Sequence, residues 1–136
     1  MNYRRIVIAA LAATVVYYVY GFLVEGLLIR KDFSPYSAVY RSADTVMGYM
    51  PLGFACTLIA TFVIAIIYAN GPGAAEGFRF GVLVGIFVLC TFVEANYVTL
   101  NIGRKLALEL AASTLVQWTT VCVVIGAIYK PALAAH

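Results

Sequence analysis

Residues 77–100 read GFRFGVLVGIFVLCTFVEANYVTL, a largely apolar run in which Gly77, Gly81 and Gly85 recur every four residues. At about 1.5 Å of rise per residue, a helix of this length extends roughly 36 Å, which exceeds the ~30 Å of a bilayer's hydrocarbon core. Four residues advance a helix by about 400°, so the three glycines share one face and form a shallow groove. The run therefore predicts a transmembrane helix with a helix-packing groove, filled either by another helix of the same chain or by a second copy.

The composition of the whole chain also indicates a membrane protein. Its 136 residues are 64% hydrophobic and 11% charged, and their mean hydropathy is +0.96. Soluble domains usually have about 45 to 50% apolar and about 25% charged residues. The chain is therefore predicted to be an integral membrane protein with one domain, residues 1–136. The net charge of +3 is small and the basic residues stand near the ends of apolar runs, which argues against a nucleic-acid partner.

Three further apolar runs bring the number of predicted transmembrane helices to four. Each run is long enough to cross a bilayer, and the intervening segments are too short to form a soluble domain. The predicted fold is all-α, a polytopic membrane protein with four transmembrane helices in an antiparallel bundle. The predicted spans are about residues 6–29, 45–68, 77–100 and 106–129.

The connections between the runs carry turn and capping residues. The sequence RKDFSPYSAVYRSAD at residues 30–44 predicts a short interfacial helix capped by Ser34. Ser42 or Asp44 can cap the second span. The connection at residues 70–77 is short and rich in glycine, which predicts a hairpin, and Gly103 is predicted to cap the end of the third span.

Four spans place both termini on one side of the membrane, but the basic residues decide the orientation only weakly. The first span is preceded by Arg4 and Arg5 and followed by Arg30 and Lys31, whose charge Asp32 offsets. This difference favours cytoplasmic termini in a bacterial inner membrane. Over the whole chain the count is four against five, with Arg4, Arg5, Arg79 and Lys130 on the side of the termini and Arg30, Lys31, Arg41, Arg104 and Lys105 opposite.

Three carboxylates are predicted at one membrane depth, each about one turn inside the end of a span. Such side chains usually face a bundle interior or a water-filled cavity, because exposing one to lipid costs about 2.5 kcal/mol or more. The favoured prediction is that the acids pair with the basic residues of the same side. The alternative is a polar vestibule that holds a cation, a proton or a headgroup. The candidate vestibule residues are Glu25, Glu94, Asn96, Glu109, Ser113 and Gln117.

The sequence predicts no metal site, no cofactor and no catalytic residue. His136 is the only histidine, so the histidine pairs of membrane di-iron sites are absent from the sequence. Cys56, Cys90 and Cys122 lie one per span without CxxC spacing, and they are predicted to be small packing residues.

Aromatic residues stand in the middle of two spans, with Tyr17, Tyr18 and Tyr20 in the first and Trp118 in the fourth. Phenols at this depth are predicted to face other helices, where the hydroxyl finds a partner, or to line a ligand site. Trp118 is too central to anchor the helix at the headgroups. It is predicted to contact lipid, a partner subunit or a pigment.

The chain resembles a widespread bacterial family of small four-helix integral membrane proteins of uncharacterised function. The resemblance covers nearly the whole chain. It rests on the Met-Asn start before a helix rich in small residues, the polar aromatic loop, EGFRFGVLVG at residues 76–85 and VIGAIYK at residues 124–130. Tyr17 and Tyr18 stand where many members have a Trp-Tyr pair. The resemblance implies a four-span topology and adds no catalytic residues.

These features favour a small non-catalytic accessory subunit of a larger membrane complex. Its predicted partners are the lipid bilayer and either other membrane-protein subunits or a second copy of the chain. The alternative is a homo-oligomeric carrier or channel for a small solute, cation or proton that uses the vestibule. An enzyme is less favoured, because the Arg and Asn set of four-helix enzymes that conjugate glutathione is missing.

Overall fold

The computed structural model describes residues 2–69, 71 and 73–129 of the chain. Lys130 and His136 lie outside these residues, as do Asn70 and Pro72 of the predicted hairpin connection. Within the described ranges the protein is all-helical and has no strand. The helical segments are Tyr3–Leu23, Val24–Leu28, Arg30–Phe33, Ser34–Tyr36, Ala43–Ile67, Ala74–Val88, Leu89–Val93, Glu94–Thr99 and Arg104–Ile128.

Four of the resulting helices are long and apolar enough to cross a membrane, with mean hydropathies between 1.7 and 2.3. The predicted limits differ from the observed ones by one to three residues at each end. The all-helical class and the four membrane-crossing helices are therefore confirmed. These helices are called spans 1 to 4, and they comprise Tyr3–Leu28, Asp44–Ile67, Ala74–Thr99 and Arg104–Ile128.

Local side chains and one glycine explain where three of the spans begin. The Asn2 side chain accepts a hydrogen bond from the Arg5 amide at 3.3 Å at the start of span 1. Ser42 caps span 2, because its hydroxyl accepts from the Thr45 amide at 3.4 Å, as one of the two predicted caps. Gly73 precedes span 3 with φ of +126°, a conformation that residues with a Cβ rarely adopt.

Two predicted caps are wrong. Ser34 does not cap a helix, because a short helix already starts at Arg30, the helical turn Ser34–Tyr36 that follows has no side-chain cap, and the Ser34 hydroxyl donates back to the Lys31 carbonyl at 3.1 Å. Gly103 does not end span 3, which ends at Thr99 and is followed by Leu100 in an extended conformation. Instead Gly103 is the residue from which span 4 begins. In both cases the helix boundary lies earlier in the chain than the predicted capping residue.

Spans 1 and 3 each contain one π-helical turn, Val24–Leu28 and Leu89–Val93. A π-turn accommodates one more residue than an α-helical turn, and such turns are often found at functional sites. Glu25 lies within the first of them. Asn96 follows the second by one turn. Both π-turns therefore stand beside residues of the predicted vestibule.

Span 4 is the central helix of the packing, since it contacts both span 3 and span 1. Span 2 packs mainly on span 1, where the buried hydroxyls of Thr14 and Thr61 are 2.8 Å apart. The Tyr18 hydroxyl adds a bond of 3.3 Å to Thr57. The main core consists of alanines, branched aliphatic side chains and two tyrosines, namely Ile6, Ala9, Ala10, Ala13, Ala65, Tyr68, Ala69, Val121, Ile125 and Tyr129.

Span 2 is the least buried of the four. In its most apolar window only 11% of the residues are buried, against 33% for span 4. Every residue from Asp44 to Cys56 is exposed. The first half of this helix is therefore largely uncovered, although the Phe54 ring stacks on Tyr18 with centroids 5.7 Å apart and the Arg41 guanidinium lies 4.1 Å from the Tyr49 ring centroid.

The segment between spans 1 and 2 is fastened to the start of span 4. The Tyr36 hydroxyl accepts a hydrogen bond of 2.9 Å from the Gly103 amide. The Lys105 ammonium lies 2.5 Å from an Asp32 carboxylate oxygen. Beneath these contacts is a second apolar cluster built on Ile29, Ile102 and Leu106, with Phe33, Tyr36 and Tyr40 packed against it.

Candidate functional site

The three glycines of the predicted groove are buried against span 4 of the same chain. A Cβ added at Gly77 would stand 2.6 Å from the Cys122 carbonyl oxygen, and one at Gly81 would stand 2.7 Å from the Thr119 Cα. At Gly85 the nearest atom would be a Leu115 methyl at 2.9 Å. The groove therefore brings two backbones closer than side chains would allow, and it is occupied within the chain.

The three predicted vestibule carboxylates do not line one cavity. Glu25 lines a cavity of about 260 Å³, whereas Glu94 is exposed and borders a different cavity together with Arg104. Glu109 lies 3.6 Å from the Lys105 ammonium. Glu109 therefore pairs with a basic residue, which is one of the two predicted arrangements. Glu25 lines a cavity, which agrees with the other.

The cavity that contains Glu25 lies between spans 1, 3 and 4, under the segment that joins spans 1 and 2. Asn96 and Gln117 of the predicted vestibule also line it, so the structure brings together three of the six candidates. Ser113 lies outside this wall. The Ser113 hydroxyl and one Glu109 carboxylate oxygen are buried without a hydrogen-bond partner among the described residues.

Gln117 is a buried residue in the wall of this cavity. It is 4% exposed, and its side-chain amide donates to the Tyr17 carbonyl at 3.0 Å. The bond ties span 4 to span 1 at the level where the Tyr17 ring meets the Trp118 ring, with centroids 5.5 Å apart. Each of these side chains is thereby held in place on one side of the cavity.

Aromatic rings form much of the remaining wall. Phe33 and Tyr40 meet edge to face with centroids 5.1 Å apart, and Phe92 joins them from the second π-turn. Burial raises the pKa of the Tyr40 phenol above its ordinary value, so this hydroxyl is neutral at physiological pH. The cavity therefore combines one carboxylate and two amides with aromatic surfaces contributed by Tyr17, Phe33, Tyr40, Phe92 and Trp118.

A second cavity of about 480 Å³ adjoins the first and shares Tyr17, Phe92 and Trp118 with it. Its far wall is formed by span 2 at Cys56, Thr57 and Ala60. Cys56 is exposed, so this cavity reaches the outer surface of the protein. Together the two cavities run from Glu25 to the surface between spans 2 and 3.

The cysteines divide between surface and core. Cys122 is buried against Gly81, as expected of a packing residue, whereas Cys56 and Cys90 are exposed. The described residues contain no group of three His, Cys, Asp or Glu side chains that could hold a metal ion. Glu25 therefore belongs to no such cluster among the described residues.

Sequence reasoning identified Glu25, Asn96 and Gln117 but did not connect them with Tyr17 and Trp118. The only signal in the sequence for their role is the position of both aromatic residues in the middle of the predicted spans. The contact of Trp118 with Tyr17 shows that it faces the inside of the protein at this level. The π-turns that shape the wall have no simple signature in the sequence.

Four helices of this length and hydropathy, with a polar cavity among three of them, indicate a multi-pass α-helical membrane protein. Comparison with protein families, curated proteins and solved structures returns no match for this chain. The resemblance to the bacterial four-helix family therefore stays a prediction.

Proposed function

We propose that this chain is a small non-catalytic accessory subunit of a larger bacterial membrane complex. The observation that carries the proposal is the exposure of span 2. Gly48, Leu52, Ala55 and Ile59 follow one another at helical spacing on one face, and all four are exposed. A Cβ at Gly48 would have no atom within 4 Å. A helix of another subunit can approach closely at such a glycine, which is how membrane helices commonly associate.

In this proposal the four spans form an antiparallel bundle in the inner membrane, with both termini in the cytoplasm. The short helix at Arg30–Phe33 lies at the membrane surface, because it exposes Arg30 and Lys31 while Phe33 packs inward. The groove of Gly77, Gly81 and Gly85 serves packing within the chain, since span 4 covers it. This leaves span 2 as the surface for a partner.

Replacing Gly48 with Leu tests the subunit role. The wild-type chain, purified from its native membrane in mild detergent, is expected to carry other membrane subunits in a fixed ratio. The Gly48→Leu variant is expected to lose them, because the added side chain fills the position of close approach. Subunit composition and ratio are measured by native gel and mass spectrometry.

Two controls accompany this experiment. Gly48→Ala adds a single carbon and is expected to retain most of the complex. Ala112→Leu places the same leucine side chain at an exposed position of span 4 and is expected to retain all of it. A wild-type chain that purifies alone or only with copies of itself would contradict the subunit proposal.

A homo-oligomeric carrier or channel for a small solute, cation or proton is the second candidate, and the cavity at Glu25 favours it. An ionisable side chain on a cavity wall within a span is typical of a transport pathway. Such a function requires a path through the membrane that one half-open cavity does not supply by itself. A second copy of the chain would have to complete it.

Flux in vesicles reconstituted with the purified chain tests the second candidate. The wild type is expected to pass protons or a monovalent cation down a gradient, and Glu25→Gln is expected to abolish the flux because it removes the cavity's charge. Glu76→Gln is the matched control, since Glu76 lies 3.6 Å from Arg79 and away from the cavity. Absence of flux in the wild type would remove this candidate and leave the subunit role untouched.

A further inference from the structure

Glu25 is a half-buried carboxylate that lines the cavity within span 1. No arginine or lysine of the described residues pairs with it, and no described donor hydrogen-bonds to it. The nearby acids differ in this respect, since Asp32 and Glu109 share the Lys105 ammonium. An unpaired carboxylate in a membrane span is costly, and it attracts a positive charge into the cavity.

The walls around this carboxylate suit an organic cation better than a metal ion. Tyr17 and Trp118 form one aromatic pair, and Phe33 and Tyr40 form another. The faces of aromatic rings attract ammonium groups, and cages of such rings are known sites for quaternary ammonium ligands. A hard metal ion prefers six or more oxygen ligands, whereas the described residues gather no group of three acidic or other metal-binding side chains.

The adjoining cavity indicates the shape of the remainder of the ligand. Its described lining is mostly apolar, and it reaches the exposed Cys56 between spans 2 and 3. The cavity at Glu25 holds about 260 Å³, slightly below the ~300 Å³ at which pockets begin to accept drug-sized ligands. A small cationic head fits there, and an apolar chain extends towards the lipid through the second cavity.

We propose that the two cavities form one binding site for a lipophilic organic cation. The cationic head lies next to Glu25 among the aromatic rings, and the apolar part lies between Phe92 and Cys56. This inference goes beyond the subunit role and does not depend on it, because binding concerns the purified chain alone. Binding also does not imply transport, because a bound cation need not cross the membrane.

Trp118 reports on this site directly, because it is the only tryptophan of the chain and lines both cavities. The full chain is purified in a neutral maltoside detergent and titrated with octyltrimethylammonium while Trp118 fluorescence is recorded. A saturable change is expected. Octan-1-ol, which has the same chain length without the charge, is expected to bind at least about tenfold more weakly, a difference of about 1.4 kcal/mol.

Variants distinguish binding of the cationic head from binding of the apolar chain. Glu25→Gln is expected to weaken octyltrimethylammonium binding at least tenfold and to leave octan-1-ol binding unchanged, whereas Glu76→Gln is expected to bind both like the wild type. The bound cation is also expected to slow the reaction of Cys56 with a maleimide, while Cys90, which does not line these cavities, keeps its rate. Retained helicity by circular dichroism shows that each variant is folded.

Three results would overturn the proposal. They are a wild type whose fluorescence changes without saturation, equal binding of the cation and the alcohol, and a folded Glu25→Gln variant with wild-type affinity. None of them bears on the subunit role, which is tested by the loss of partner subunits in Gly48→Leu. Conversely, a chain that purifies without partners can still bind the cation.

Discussion

Gly81→Leu is expected to lower the free energy of unfolding by about 3 kcal/mol, the upper part of the range for overpacked cores. The Cβ alone would stand 2.7 Å from the Thr119 Cα and 2.9 Å from the Thr119 carbonyl oxygen. Both are backbone atoms of span 4, so no side-chain rotation can relieve the contact. Spans 3 and 4 must therefore separate along their closest line of approach.

The measurement is thermal unfolding of the purified chain in detergent, followed by circular dichroism. Gly81→Ala is expected to show a smaller decrease in the same direction, because the first carbon already meets the backbone. Gly48→Leu is the matched control, since nothing lies within 4 Å of a Cβ there. Equal melting temperatures for Gly81→Leu and Gly48→Leu would show that the glycine face is not packed against span 4.

Leu106→Ala is expected to cost about 2 to 4 kcal/mol of stability, as for other leucines removed from a packed interior. Leu106 is 1% exposed and belongs to the cluster with Ile29 and Ile102. Shortening it leaves a void beneath Phe33 and Tyr40, both of which line the Glu25 cavity. The segment between spans 1 and 2 should then loosen from span 4.

Leu108→Ala is the natural comparison, because Leu108 lies two residues further along span 4 and is 70% exposed. Its truncation removes side-chain surface that faces outward and is expected to change the melting temperature little. Hydrogen exchange of the segment at residues 30–42 gives a second measurement, which should be faster in Leu106→Ala alone. If both variants unfolded at the wild-type temperature, the cluster would not contribute to the fold.

Length and hydropathy were sufficient to predict the four spans. A backbone in hydrocarbon must satisfy its own hydrogen bonds, so an apolar run of this length is expected to form a helix. The spacing of Gly77, Gly81 and Gly85 likewise predicted a face of close approach. It did not identify the neighbouring helix, because a glycine groove accepts any helix whose own surface is smooth enough.

The arrangement of the carboxylates could not be predicted from depth alone. Sequence position puts Glu25, Glu94 and Glu109 at one membrane level, but the direction of each side chain around its helix depends on packing. The π-turn at Leu89–Val93 contains an extra residue and so alters which residues of the following turns face inward. Asn96 lines the cavity and Glu94 does not. Glu109 contacts Lys105 instead, and it lies about two helical turns before Gln117, which lines the cavity.

Span 2 is attached to the remaining helices mainly through span 1, at Thr14–Thr61 and Tyr18–Thr57. As the least buried of the four spans, span 2 should separate from its neighbours at a lower free-energy cost than span 4 would. The helix itself would survive that movement, because hydrocarbon offers its amides no partners outside their own helix. A movement of span 2 away from span 1 would widen the gap beside Cys56 and give lipid-borne molecules lateral access to the cavity without unfolding of the helix.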